Sequence, residues 1–153
     1  MPLEDFVMSE IDLLKRSNFS WCDLFGCDDA LMATGFNAWG GVFFLNGRWF
    51  AVGGGQGLRA RLLAVGDPSV CLAHAGDWLN ENESQDTAHK SRRWLRESPT
   101  ERQLQFLPPQ YRQDFSLSRY QASALLSFQF NHVTIRRLVM AANDAERDAR
   151  EAA

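Results

Sequence analysis

The sequence predicts an α+β fold, with a small twisted antiparallel sheet over about residues 18–66 followed by a helical half. Three observations carry this. Aromatic and β-branched clusters between Phe19 and Val65 are punctuated by glycines, as short strands separated by turns require. Asn46-Gly47 stands between two such clusters. Beyond Pro68 the apolar spacing lengthens to three and four residues, the period of an amphipathic helix.

Taken in order, Leu3, Phe6, Val7, Ile11 and Leu14 form a helical stripe, which predicts a leading helix over residues 1–16. The clearest hairpin pairs Gly41–Leu45 with Arg48–Val52 through Asn46-Gly47, a pair suited to a type I′ turn. Gly53–Gly57 lacks the Lys-Ser/Thr of a phosphate-binding loop and leads into a strand-like segment, so it reads as a hairpin or strand connection. Leu58–Val65 is a further strand, in which Arg59 and Arg61 alternate with apolar neighbours. Ser69 then caps a helix through Cys71, Leu72, Ala75, Trp78 and Leu79 to about Asn82. A basic helix follows over Asp86–Glu97. Thr100–Gln103 and Ser118–Gln121 each match the capping box, opening a short helix before Pro108-Pro109 and a longer one over Arg119–Phe130. A last helix starts near His132 and frays into a charged tail at 144–153. The 153 residues suit a single domain, with the β-rich part at 18–66 and the helical part at 68–143.

Composition narrows the function. Hydrophobic residues make up 45% and charged residues 23%, which excludes a largely disordered or fibrous chain. No apolar run is long enough for a membrane-spanning helix, so no membrane partner is expected. The acid-bearing start, Met1-Pro2-Leu3-Glu4-Asp5, lacks the pattern of a secretory leader, and the expected location is cytoplasmic. Three cysteines, Cys22, Cys27 and Cys71, read as free thiols.

The net charge of −3 conceals an uneven distribution. Residues 1–86 carry 5 basic and 12 acidic side chains, whereas 87–140 carry 9 basic and 3 acidic. All but Lys15 and Lys90 of the 16 basic residues are arginine, whose planar fork suits phosphate. On a helix, His89, Arg92, Arg93 and Arg96 share one sector about 100° wide, with Lys90 close by. That is a face for gripping a phosphate backbone; the plainer alternative is a solvated face partly neutralised by Glu97. Arg48, Arg59 and Arg61 would extend the surface across the sheet, with Trp39 and Trp49 as candidate base-stacking platforms. Tryptophan in a small sheet also serves commonly as core. The candidate nucleic-acid-binding residues are therefore Arg59, Arg61, His89, Lys90, Arg92, Arg93 and Arg96.

No catalytic constellation is evident, and His74, His89 and His132 lie far apart in sequence. Cys22, Cys27, Cys71 and His74 would furnish four zinc ligands, but the first spacing is loose and the gap to the second pair is long. No metal and no cofactor are expected.

Ser17–Leu24 and Ala33–Phe43, with Ala88–Leu95, Pro99–Leu107 and Leu117–Leu126, resemble the segment C-terminal to the motor in bacterial superfamily II DEAD/DEAH-type helicases. The resemblance runs from about residue 9 to 139. It implies an accessory domain of a DNA or RNA helicase, working with motor domains in cis or in trans. The motor's own signatures, Gly-x-x-x-x-Gly-Lys-Ser/Thr and Asp-Glu-x-His, are absent from the sequence, so ATP hydrolysis does not carry over. The expected function is non-catalytic nucleic-acid binding. The alternative is a protein-docking domain that binds the helicase core or a partner through the acidic 1–86 half.

Overall fold

The computed structural model describes residues 19, 21–25, 29–35, 37–83, 97–114 and 116–152. The expected leading helix over 1–16 and all of the basic helix except Glu97 lie outside these. Five strands, β1 (Cys22–Asp23), β2 (Ala30–Thr34), β3 (Ala38–Leu45), β4 (Arg48–Gly55) and β5 (Leu58–Gly66), form one sheet. Each strand pairs antiparallel with the next, in the order β1-β2-β3-β4-β5. Helix α1 (Pro68–Asn82), helix α2 (Glu101–Phe106), a 3₁₀ turn (Pro109–Gln113) and helix α3 (Arg119–Ala152) follow, so the structure is the α+β arrangement that the sequence predicts.

The alternation of side chains along a strand sorts the sheet into two apolar faces. Leu31, Val42, Trp49 and Ala51 pack with Cys71, Leu72 and Ala75 of α1. Their neighbours Met32, Phe43, Phe50 and Val52 share the other core with Leu125, Ile135 and Val139 of α3. The sheet is thus sandwiched between α1 and α3. Asn46 and Gly47 both take positive φ, 52° and 80°, and Leu45 pairs with Arg48, as a type I′ turn demands.

The glycine run has a packing role beyond connection. Gly53 and Gly54 lie within β4 and point to opposite faces. A Cβ at Gly53 would stand 2.7 Å from the Trp78 ring, and one at Gly54 2.5 Å from Trp39. The missing side chains make room for two indoles, one on each face. Pairing between β4 and β5 also slips at Ala51/Val52 and at Gly53/Gly55, irregularities that sharpen a sheet's twist.

Two helical expectations change. Helix α1 begins at Pro68 with Asp67 in the N-cap position, not at Ser69; proline's fixed φ and absent N–H suit a first turn. Helix α3 is a single helix of 34 residues where a break near Asn131 and a fraying tail were expected. The Asn131 side-chain amide donates to the Ser127 carbonyl at 2.7 Å, so this polar residue is served within the helix. No glycine or proline occurs from 119 to 152, and Arg147–Asp144 and Arg150–Glu146 contacts brace the charged end. Arg48 on the hairpin also forms an ion pair with Glu146.

Both capping boxes form. Thr100 and Gln103 exchange bonds of 3.0 and 3.1 Å, and Ser118 and Gln121 bonds of 2.8 and 3.1 Å. Gln103 then donates to Ser123 at 2.9 Å, which joins α2 to the first turns of α3.

Candidate nucleic-acid interface

Strand β5 is an edge, and its first half carries Arg59 and Arg61. Residues two apart on a strand share a face and stand about 7 Å apart. Both arginines are exposed, and neither joins an ion pair among the described residues. Arg61 pairs in register with Gly53, and its guanidinium carbon lies 4.8 Å from the centroid of the Trp78 ring. Trp78 in turn donates from Nε1 to the Gly54 carbonyl at 3.2 Å. Glycine, indole and guanidinium therefore pack together, and the cation is held by its attraction to the ring while remaining open to solvent. Charged side chains on an edge strand also discourage strand-to-strand aggregation, which is the plainer account of these two arginines.

The surroundings of this edge are built by two pinned chain ends. Glu83, just past α1, is 6% exposed, and its Oε2 accepts from the amides of Asn37 and Ala38 at 2.6 and 2.7 Å. At the far side of the basic segment, the Arg119 amide donates to the Glu97 carbonyl at 2.6 Å, and the Arg119 guanidinium pairs with the Glu97 carboxylate at 2.8 Å. The next residue, Tyr120, accepts the Thr34 amide on its hydroxyl at 3.0 Å. Thr34 and Ala38 flank the β2–β3 turn, and Gln56 of the β4–β5 turn donates to the Asn37 carbonyl at 2.8 Å. Residues 83 and 97 are therefore both fastened at the end of the sheet where β5 begins. His89, Lys90, Arg92, Arg93 and Arg96 belong to the chain between them and lie outside the described residues.

Trp39 and Trp49 require correction. They are 5% and 1% exposed, Trp39 packed in the core toward α3 and Trp49 in the core toward α1, so no base reaches either ring face. Burial decided this: β3 and β4 are central strands covered on both sides. Arg48 is also far from Arg59 and Arg61, at the hairpin end with Glu146. Trp78, read from the sequence only as part of a helical stripe, is the indole that meets an arginine. Its signal was the triplet Gly53-Gly54-Gly55, which leaves room for a large ring.

Nothing in the described residues resembles a reactive centre. Burial pushes the Cys22 thiol up to about 11 and the Cys71 thiol up to about 12, with nearby Asp23 and Asp67 adding to the effect. The two thiols sit in cores on opposite faces of the sheet, which therefore separates the cysteines of the zinc reading, while Cys27 lies outside the described residues. Among the described residues, no three His, Cys, Asp or Glu side chains gather as metal ligands. No helix among them is long and apolar enough to cross a membrane.

The chain is of the α+β class, with two exposed arginines on a sheet edge, and its sequence carries no phosphate-binding loop. The comparisons give that class a family. A family model described as "Mitochondrial helicase Irc3, C-terminal domain" matches residues 3–144, and the chain belongs to this family. It is a non-catalytic C-terminal accessory domain related to a helicase. The match overturns the cytoplasmic location expected from the N-terminus, because the helicase in the family's description is mitochondrial. The acid-bearing start argued only against a secretory leader. Nor does the match support the bacterial side of the resemblance. Neither the curated proteins nor the solved structures give a match to the chain.

Proposed function

We propose that this domain holds DNA or RNA for a helicase motor by gripping the phosphate backbone along the β5 edge. The observation that carries the reading is the convergence at one end of the sheet. Arg59 and Arg61 lie on β5, and both ends of the segment bearing His89, Lys90, Arg92, Arg93 and Arg96 are fastened at the end where β5 starts. On this reading the cations of that segment act together with Arg59 and Arg61 on one nucleic acid. Arginine is the side chain best fitted to bind phosphate through two parallel hydrogen bonds. Contacts of this kind orient a nucleic acid without reading its sequence.

The test is fluorescence anisotropy with a labelled oligonucleotide across a salt series. Each arginine that contacts a phosphate releases counterions on binding, so Arg59→Ala with Arg61→Ala should flatten the log–log salt slope by about 1.4 to 1.8. Arg92→Ala with Arg93→Ala should do the same. Both positions on β5 are exposed, so the fold should persist. Unchanged slopes in both double variants would remove the reading in favour of a docking domain.

A further inference from the structure

The opposite side of the molecule carries a surface of different chemistry. No aspartate or glutamate occurs from Ser116 to Asn143, so the outer face of α3 is free of acids until Asp144. Phe130 and Val133 are each 67% exposed and Met140 41%, with the exposed cations Arg136 and Arg137 among them. Phe106 of α2, 51% exposed, meets Phe130 edge-on at 6.2 Å and widens the apolar area. Beside this stripe, a groove of about 430 Å³ runs between α3 and the end of β3. Its walls include Phe43, Phe44, Phe128, Ile135 and Val139, and His132 and Arg136 also line it. A smaller recess of about 190 Å³ shares Phe128 and His132 with it, so the hollow continues toward Tyr111. The His132 Nδ1 donates to the Gln129 carbonyl at 2.8 Å, which leaves Nε2 as the ring's remaining polar atom.

We propose that this face of α3 docks an acidic amphipathic helix of a protein partner, which seats apolar side chains in the groove and sets carboxylates against Arg136 and Arg137. Charge complementarity selects the occupant, because α3 brings Arg136 and Arg137 to this face and no acid before Asp144, so it repels a basic partner and pairs with an acidic one. Its apolar content selects protein over nucleic acid. Phosphates would satisfy the two arginines but leave Phe130, Val133 and Met140 facing charge. A helix bearing anchors at three- and four-residue spacing covers both. The site lies on the α3 side of the sheet, whereas Arg61 stacks on Trp78 on the α1 side, so this docking stands independently of the phosphate reading.

The experiment is an amide NMR titration of the full chain with two synthetic 18-residue amphipathic peptides. Both carry leucine and phenylalanine anchors; one has glutamate on its flanks and the other lysine. A dT20 oligonucleotide is titrated separately. The glutamate peptide should bind at least tenfold more tightly than the lysine peptide and shift the resonances of Phe44, Phe128, Ile135 and Val139. Arg136→Glu with Arg137→Glu, both exposed, should invert that preference with thermal stability retained. Arg59→Ala with Arg61→Ala should leave peptide binding unchanged, which separates failure here from failure of the phosphate reading. Equal affinities for the two peptides, shifts confined to other residues, or dT20 perturbing this face in place of the glutamate peptide would each overturn the proposal.

Discussion

Substituting Gly53 by alanine tests the packing on which the β5 edge depends. The added Cβ would lie 2.7 Å from Cγ, Cδ2 and Cε2 of Trp78, whereas carbon atoms rest comfortably at about 3.5–4.0 Å. The ring must therefore retreat by about 1 Å. It cannot do so freely, since Nε1 is bonded to the Gly54 carbonyl at 3.2 Å and Arg61 lies over the ring at 4.8 Å. Overpacking of this kind costs about 1–3 kcal/mol, and weakening the indole bond adds about 1 kcal/mol. Removing glycine's freedom in the unfolded chain returns about 0.4–1 kcal/mol. The net expectation is a loss of about 2 kcal/mol. With a urea slope of about 2 kcal/mol/M, the unfolding midpoint should fall by about 1 M. A methyl group added at Gly76, within α1, would meet no atom within 4 Å, so Gly76→Ala should stabilise by about 0.4–1 kcal/mol. In a Trp78→Leu background, where the ring is gone, Gly53→Ala should cost about 0.5 kcal/mol or less. A wild-type or higher midpoint for Gly53→Ala alone would refute the account.

Three further outcomes follow from buried groups. Tyr120→Phe removes the acceptor of the buried Thr34 amide and should cost about 2 kcal/mol, seen as a fall in melting temperature of about 4–8 °C; an unchanged Tm would contradict the assigned bond. The Cys22 and Cys71 thiols should resist a thiol reagent at pH 8 in the native state and react once the chain is unfolded in urea, so rapid native labelling of either would count against their burial. Because folding raises both from 9.0, to about 11 and about 12, their contribution to stability is complete below about pH 9 and declines as the pH climbs through those values. Urea midpoints measured from pH 8 to 10.5 should therefore fall, and less steeply when both cysteines are replaced by alanine.

The features legible in the sequence are those that short-range physics encodes. A type I′ turn needs two residues that accept positive φ, and Asn46-Gly47 supplies them without help from the rest of the chain. Thr100 with Gln103, and Ser118 with Gln121, cap their helices through bonds spanning three residues. The stripe Cys71, Leu72, Ala75, Trp78 and Leu79 is buried where its spacing placed it. By itself, then, the sequence determined the succession of a sheet and then helices, the Asn46-Gly47 turn and the two capping boxes.

Tertiary structure alone decided which faces are covered. Trp39, Trp49 and Trp78 are indistinguishable as side chains and all three are buried, yet two belong to central strands and the third packs against Arg61 of the edge strand. That difference arises from pairing between residues far apart in the chain, such as Gly53 with Arg61 across a turn and Glu83 with Asn37 across 46 positions. The unbroken course of α3 through Asn131 has the same origin in part: its apolar side is held against the sheet through Ile135 and Val139, which outweighs a weak local helix preference. Local periodicity prescribes an element and its apolar side. Burial, and with it which neighbour each indole meets, is settled only when distant elements meet.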